Sequence, residues 1–341
     1  MNETRSLERR FMRLIEKRGF FLTANGQLNT VQLEKRMLII TTSKKEAGIK
    51  ISRDQIRKGI RHMQVYRTLI RKDLEGITAF TSALLGILIE IFKSKSKLLT
   101  LKNGLYRLSL LGVRFYASGL EKDPFLRKVY KDLGGKYVLF NYYQLLQSSF
   151  DWEKWLIDHE MFCVIDSGSY SYYQKKKKIN KASYKQQELF SEEDLTKHYI
   201  NGYADFINRH KHNTQILGFF PFDCIGDPQQ TKWNYEILKS KTDANIFPVW
   251  QMTDSLDELQ KLVDEEPEMI GFGGSIQFLS NRLDKVRSVL QGLFKRFENV
   301  NFHLLGVANE LLLEFPCFSA DSTAYINARK SAKQRQCDLY L

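Results

Sequence analysis

The sequence predicts an α/β fold: a (β/α)8 TIM barrel preceded by a basic, mainly helical N-terminal domain. Three observations predict it. From about Val113 onward, short apolar runs alternate with helical stretches about eight times, the rhythm of a parallel sheet with crossover helices. No glycine-rich dinucleotide fingerprint supports the rival, a doubly wound open sheet. The charge is uneven as well. Residues 1–100 hold 21 Lys and Arg against 9 Asp and Glu, whereas the whole chain of 341 residues carries a net +13. The expected division is therefore a basic nucleic-acid-binding module over 1–110 and a near-neutral barrel over 111–341.

The N-terminal elements follow from local chemistry. Leu7 to Arg18 is a basic amphipathic helix that Gly19 stops. An Asn25-Gly26 turn lies between apolar runs from Phe20 to Ile40, the mark of a small hairpin. Ser52 and Gln55 form a capping box that opens a helix expected to reach about Asp73. Its apolar face is Ile56, Ile60, Met63 and Ile70. Arg53, Arg57 and Arg61 form a separate basic stripe suited to phosphates, or simply a solvated face. Leu74 to Phe92 is the most apolar stretch, but its uncharged run is shorter than the roughly 20 residues a membrane span needs, so a buried core helix is expected. A hairpin of Leu98–Leu101 and Tyr106–Leu110 around Asn103-Gly104 leads into the second domain.

Eight barrel strands are expected at Val113–Ala117, Tyr137–Phe140, Phe162–Ile165, Ile216–Phe222, Ile246–Trp250, Met269–Phe272, Phe302–Leu305 and Cys317–Ala320. Helices are expected at Tyr143–Ile157, Glu192–Arg209, Gln229–Ser240, Leu256–Asp264 and Leu283–Phe297. The four cysteines show no CxxC spacing, and the six histidines do not cluster, so neither a metal site nor a cofactor is expected. The N-terminus lacks the pattern of a secretory signal, which makes the cytoplasm the expected location and a membrane partner unexpected.

Barrel chemistry collects where strands end. There the sequence places Asp166-Ser167-Gly168 after the third run, Asp223 after the fourth, Gln251 after the fifth, Gly273-Gly274 after the sixth and Asp321 after the eighth. Each alone has an ordinary explanation: Asp166 could cap a helix, Gly273-Gly274 could punctuate a loop, and Asp321 could belong with Ser322 and Thr323 in a cap. Their convergence on one mouth favours a site.

Those same segments carry a resemblance. VIDSGSYS, FDCIGDPQQTKWNYEIL, IFPVWQM, IGFGGSI and HLLGVANELLLEFPCFSADSTAY resemble, in order and spacing, the tRNA-guanine transglycosylase superfamily over roughly residues 113–330. The nearer likeness is to its phage and bacterial branch, which exchanges guanine in DNA for a 7-deazaguanine. The resemblance implies Asp321 as the nucleophile toward C1′ and Asp166 as the acid/base. It implies Asp223 as the carboxylate that reads guanine, and Ser167, Gly168, Gln251, Gly273 and Gly274 as base-pocket residues. It also implies DNA, or alternatively tRNA, and a 7-deazaguanine base such as preQ0 as partners. The residue chemistry agrees, because exchange at C1′ with retention needs a paired-carboxylate arrangement. A base inside a duplex would have to be flipped out to reach it. Tyr170, Tyr172 and Tyr173 could stack on bases, and Lys175, Lys176, Lys177 and Lys178 could hold phosphates or form a solvated loop.

Two features depart from the family. Its cysteine and histidine zinc motif after the nucleophile has no match, since only Cys337 follows Asp321. The basic first 110 residues match nothing in the tRNA enzymes. Both lean toward DNA. The rival expectations are exchange on tRNA, a barrel that binds nucleic acid without catalysis, and a hydrolase that lets water take the place of the incoming base.

Overall fold

The computed structural model describes residues 2–42, 45–169, 171, 192–275, 278–279, 282–324 and 326. The chain divides into two compact units, 1–112 and 113–341.

In the first unit, the helix Asn2–Arg18 ends where Gly19 takes a left-handed conformation (φ +74°) and returns its N–H to the Ile15 carbonyl. Strands β1 (Phe20–Leu22), β2 (Leu28–Leu33), β3 (Met37–Thr42) and β4 (Lys45–Ser52) follow as an antiparallel sheet in that order. Both bonds of the Ser52–Gln55 capping box are present, and the helix they open, Arg53–Tyr66, stops at Arg67 (φ 63°), short of the expected Asp73. Arg67 is buried, and its guanidinium donates to the carbonyls of Leu110 and Leu111. The apolar helix runs from Thr81 to Phe92, and Leu84, Ile87 and Leu88 on it are fully buried among Phe21, Ile56, Ile60 and Met63. Strands β5 (Thr68–Ile70), β6 (Ser96–Thr100) and β7 (Tyr106–Leu110) make a second antiparallel sheet in the order β5-β7-β6.

The expectation of a mainly helical N-terminal domain is thus corrected to a mixed one, three α-helices with two antiparallel sheets among the described residues. The hairpins expected between Phe20 and Ile40 and over Leu98–Leu110 are present as β1 to β3 and β6–β7, whereas β4 and β5 went unread, β5 lying where a helix was expected. In the segment from Lys45 to Ser52, only Ile49 and Ile51 alternate as a buried face would.

The second unit contains β8 (Arg114–Ser118), β9 (Tyr137–Asn141), β10 (Phe162–Asp166), β11 (Ile216–Phe219), β12 (Val249–Gln251), β13 (Ile270–Gly273), β14 (Phe302–Leu304) and β15 (Ser319–Ser322). All eight expected apolar runs are strands, and their order is β11-β10-β9-β8-β15-β14-β13-β12 with parallel pairing throughout. The two ends of that sheet meet. The Phe219 N–H donates to the Asn245 carbonyl and the Phe247 N–H donates to the Phe219 carbonyl, both at 2.9 Å, around a parallel bridge from Phe219 to Ile246. The sheet is therefore curled in the manner of a TIM barrel, with all strand C-termini at one mouth.

Helices cover the outside of the sheet. Pro124–Asp132, which the sequence reading missed, starts on an Asp123 cap with Pro124 in its first turn. The expected helix Tyr143–Ile157 is two helices, Tyr142–Leu145 and Trp152–Asp158, the second capped by Asp151. Beyond β10 the helices are Glu192–His210, Pro228–Lys241, Leu256–Asp264 and Leu283–Arg296, with the short Leu311–Glu314 before β15. Phe272, Leu290, Leu293 and Phe302 are fully buried where sheet meets helix, each contributing about 1.5–3 kcal/mol.

Candidate active site

At the strand C-termini of the second unit lies a cavity of about 430 Å³, a size suited to one small ligand. Asp166, Asp223, Asp321, Gly273 and Gly274, which the sequence places at four separate strand ends, all line it.

Asp321 sits on β15 opposite Tyr116 of β8. Its carboxylate is held from both neighbouring strands. The Ser118 hydroxyl at the end of β8 donates to Oδ2 at 2.7 Å, and the Gly306 N–H just past β14 donates to Oδ1 at 2.8 Å. His303 of β14, fully buried, brings Nε2 to 3.3 Å from Oδ1 and its Nδ1 to 2.8 Å from the Ser319 hydroxyl. The side chain that could have been a cap is instead oriented by neighbours on both flanks, and the bond to the Ala324 N–H is made by Ser322.

Asp166 ends β10 and accepts the Gly168 N–H at 2.8 Å. Burial first, and then the nearby carboxylates of Asp223 and Asp321, push its pKa well above the usual carboxylate range, against the pull of the backbone N–H groups. Asp223, beyond β11, accepts the Ser169 hydroxyl at 2.6 Å; its pKa is also raised, chiefly by burial, with Asp321 adding to the shift and the Ser169 bond opposing it. The cavity thus holds carboxyl groups that burial and mutual repulsion keep protonated to higher pH than free carboxylates.

Glycines fit the site where a Cβ would not. At Gly168 (φ +81°) an added Cβ would lie 2.2 Å from Asn141 Oδ1 and 2.7 Å from Tyr143 Cβ. At Gly273 it would lie 2.9 Å from Val249 Cγ1 and point toward Asp223, so the bare backbone forms the cavity wall there.

The remaining sequence-chosen residues stand elsewhere. Gln251, expected in the base pocket, is buried outside the cavity wall. Its amide nitrogen donates to the Cys224 carbonyl and to the Thr231 hydroxyl, while its Oε1 accepts the Gly226 N–H. It braces the loop that carries Asp223 rather than facing a ligand. Ser167 is likewise fully buried away from the cavity, its carbonyl accepting the Tyr199 hydroxyl at 2.6 Å. Gly168 acts through its N–H on Asp166.

The basic stripe has partners within the protein. Arg53 and Arg57 share Glu8, which is only 2% exposed, and Arg57 also meets Asp54 at 3.6 Å, so two of the stripe's three guanidinium groups are engaged within the protein. Arg61 is exposed. Tyr170, Tyr172, Tyr173 and Lys175 to Lys178 lie outside the described residues.

Sequence reasoning missed Ser118, Glu121, Asn141, Ser169 and His303. Glu121 lines the cavity, is 2% exposed and accepts the Asn141 N–H; burial raises its pKa to about 7. Nothing in the local pattern around it marks a buried acid. His303 stands two residues into the run before Gly306, and only the register between β14 and β15 shows what it faces.

No family model matches the chain, and neither does any curated protein. Among solved structures, an HpcH/HpaI aldolase from Desulfitobacterium hafniense DCB-2 is similar at 8% identity, over 67% of this chain and 94% of that one, with a TM-score of 0.39. A mandelate racemase/muconate lactonizing family protein from Azoarcus sp. EbN1 is similar at 9% identity, over 89% and 82%, with a TM-score of 0.36. A dipeptide epimerase from Enterococcus faecalis V583 is similar at 12% identity, over 84% and 79%, with a TM-score of 0.29.

Proposed function

We propose that the protein is a guanine transglycosylase that replaces guanine in DNA by a 7-deazaguanine derivative through a covalent link between Asp321 and C1′. The observation that carries this reading is the convergence of Asp166, Asp223 and Asp321 on one cavity. It is joined by the resemblance of the segments around them to the superfamily. The preference for DNA rests on the basic N-terminal unit, in which residues 1–112 hold 23 Lys and Arg against 9 Asp and Glu.

The chemistry divides among the residues as follows. An Asp321 oxygen attacks C1′ as the glycosidic bond breaks, and the base departs with that electron pair and a proton from Asp166. Asp223, beside the bare backbone of Gly273, accepts hydrogen bonds from the ring N–H and exocyclic amine of the base. The incoming 7-deazaguanine gives its ring N–H proton to the Asp166 carboxylate, attacks C1′ and releases Asp321. Protons and electron pairs balance over the two halves, and Asp166 ends as it began. The raised pKa of Asp166 suits the acid role in the first half. The target nucleotide has to leave its stack to enter a cavity of this size.

The test is incubation with a labelled 7-deazaguanine base and either duplex DNA or tRNA, followed by nucleoside analysis. Label in DNA nucleosides is expected; label in tRNA alone would move the activity to tRNA. Release of guanine with no label incorporated would make the protein a hydrolase. Asp321→Asn should lower exchange by at least about a thousandfold and abolish any trapped adduct.

A further inference from the structure

The two arginines that pair with Glu8 leave open which surface of the N-terminal unit is available to a polyanion. We infer that the solvent face of the helix Asn2–Arg18, carrying Arg5, Arg9, Arg13 and Lys17, is a docking surface for the phosphodiester backbone of a nucleic acid. The inference takes from the proposed function only the class of partner.

The four cations recur every fourth residue, so they form one row that winds slowly along the helix. All four are exposed, and none forms an ion pair with a carboxylate among the described residues. Arg9, Arg10 and Arg13, with Ser6 and Glu3, line a groove of about 610 Å³ on this face. At about 1.5 Å of rise per residue, Arg5 to Lys17 spans about 18 Å, the axial length of roughly five phosphates of one strand at about 3.4 Å each. Guanidinium groups suit phosphate because their N–H pairs match two oxygens at once.

The opposite face explains why the row is presented outward. Phe11, Met12 and Ile15 are buried in the core of the unit, and Glu8 is buried beneath its two partly exposed arginines. The same observation argues against a lipid surface. An interfacial helix needs a free apolar face to sink between headgroups. Here that face is already covered by the protein, and Leu14, at 38% exposed, is the largest apolar side chain that the outer face shows.

The experiment uses the full chain and measures equilibrium binding to a short DNA duplex without added base, so that a failure of exchange chemistry leaves the result readable. A triple variant, Arg5→Gln, Arg9→Gln and Arg13→Gln, is compared with Lys128→Gln, Lys154→Gln and Lys261→Gln. The second variant removes the same net charge from exposed positions on the second unit. The helix variant should bind the duplex at least about tenfold more weakly near 0.1 M salt, and the slope of log affinity against log salt should fall by about 2 to 3, near 0.9 per lost phosphate contact. The control should keep the slope of the parent protein. Equal losses in both variants would reduce the effect to net charge and overturn the proposal, as would an unchanged slope in the helix variant. Binding to phosphatidylserine vesicles that depends on the three arginines, with no duplex binding, would overturn it in favour of a membrane.

Discussion

Asp166 and Glu121 are both buried carboxyl groups at one cavity, and their raised pKa values are read through different measurements, one through the exchange chemistry and the other through stability. In the proposed exchange, Asp166 is needed protonated to release the departing base. Its pKa is raised by burial and by Asp223 and Asp321, so adduct formation should persist to higher pH than an ordinary carboxylate allows and fall as pH rises through the raised value. Single-turnover trapping of the adduct across pH checks this, and Asp166→Asn should slow the step by about 10²–10⁴-fold below the raised pKa, with the gap narrowing above it. Glu121 is a stability matter. Its folded pKa of about 7 exceeds the ordinary 4.5, so the folded state binds the proton more tightly than the unfolded state does. Its contribution is most favourable below about pH 4.5 and is lost as pH climbs to about 7, by an amount of order 3 kcal/mol. Glu121→Gln keeps an acceptor for the Asn141 N–H without the charge. Urea unfolding at pH 5 and pH 8 should show the variant gaining on the parent protein at the higher pH. An equal difference at both values would refute the assignment.

The turn after β10 is the element on which the acid depends. Gly168 adopts φ +81° and lies against Asn141 and Tyr143 with no room for a Cβ. Gly168→Ala should therefore lose about 1–3 kcal/mol in urea unfolding and displace the N–H that Asp166 accepts, lowering exchange by more than the loss of folded protein explains. Elements also show where the sequence was legible. The eight strands were readable because parallel strands buried on both faces appear as unbroken apolar runs bounded by helices. Their ends were readable for the same reason, which is how Asp166, Asp223 and Asp321 came to notice. In the first unit the two hairpins were legible from their apolar runs around Asn25-Gly26 and Asn103-Gly104, but β4 and β5 gave no such run. The break between Leu145 and Trp152 was hidden because both halves are aromatic and apolar, although Asp151 is an available cap. The Glu8 pairing with Arg53 and Arg57 joins residues more than forty positions apart, and a charge count along the chain contains no trace of it.

Across the second unit, the sheet closes unevenly. The pairs β9–β10 and β8–β15 are matched over five and four residues, whereas β11 and β12 meet through the two backbone bonds at Phe219 and its bridge to Ile246. Local opening should start at the weakest seam. Native-state hydrogen exchange should find the Phe219 and Phe247 amides less protected than Leu139 and Val164; equal protection would show that the closure is as firm as the rest. The placement of Gln251 beside this seam was not legible for a related reason. A glutamine at a strand end can face a ligand or brace a loop, and only the three-dimensional position of Cys224, Gly226 and Thr231 decides.

The two oxygens of Asp321 are not equivalent. Oδ1 faces a backbone N–H from Gly306 and the ring of His303, while Oδ2 faces only the Ser118 hydroxyl among the described residues. An oxygen that forms an ester surrenders most of its capacity as an acceptor. Were Oδ1 to bond to the sugar, the Gly306 N–H would be stranded, since a backbone donor cannot turn away. Bonding through Oδ2 asks only that a hydroxyl rotate, and Oδ1 then becomes the ester carbonyl with its donors already in place. If Asp321 is the nucleophile of the proposed exchange, this asymmetry selects the attacking lone pair before any substrate arrives, and with it the face of the sugar ring that must be offered to β15.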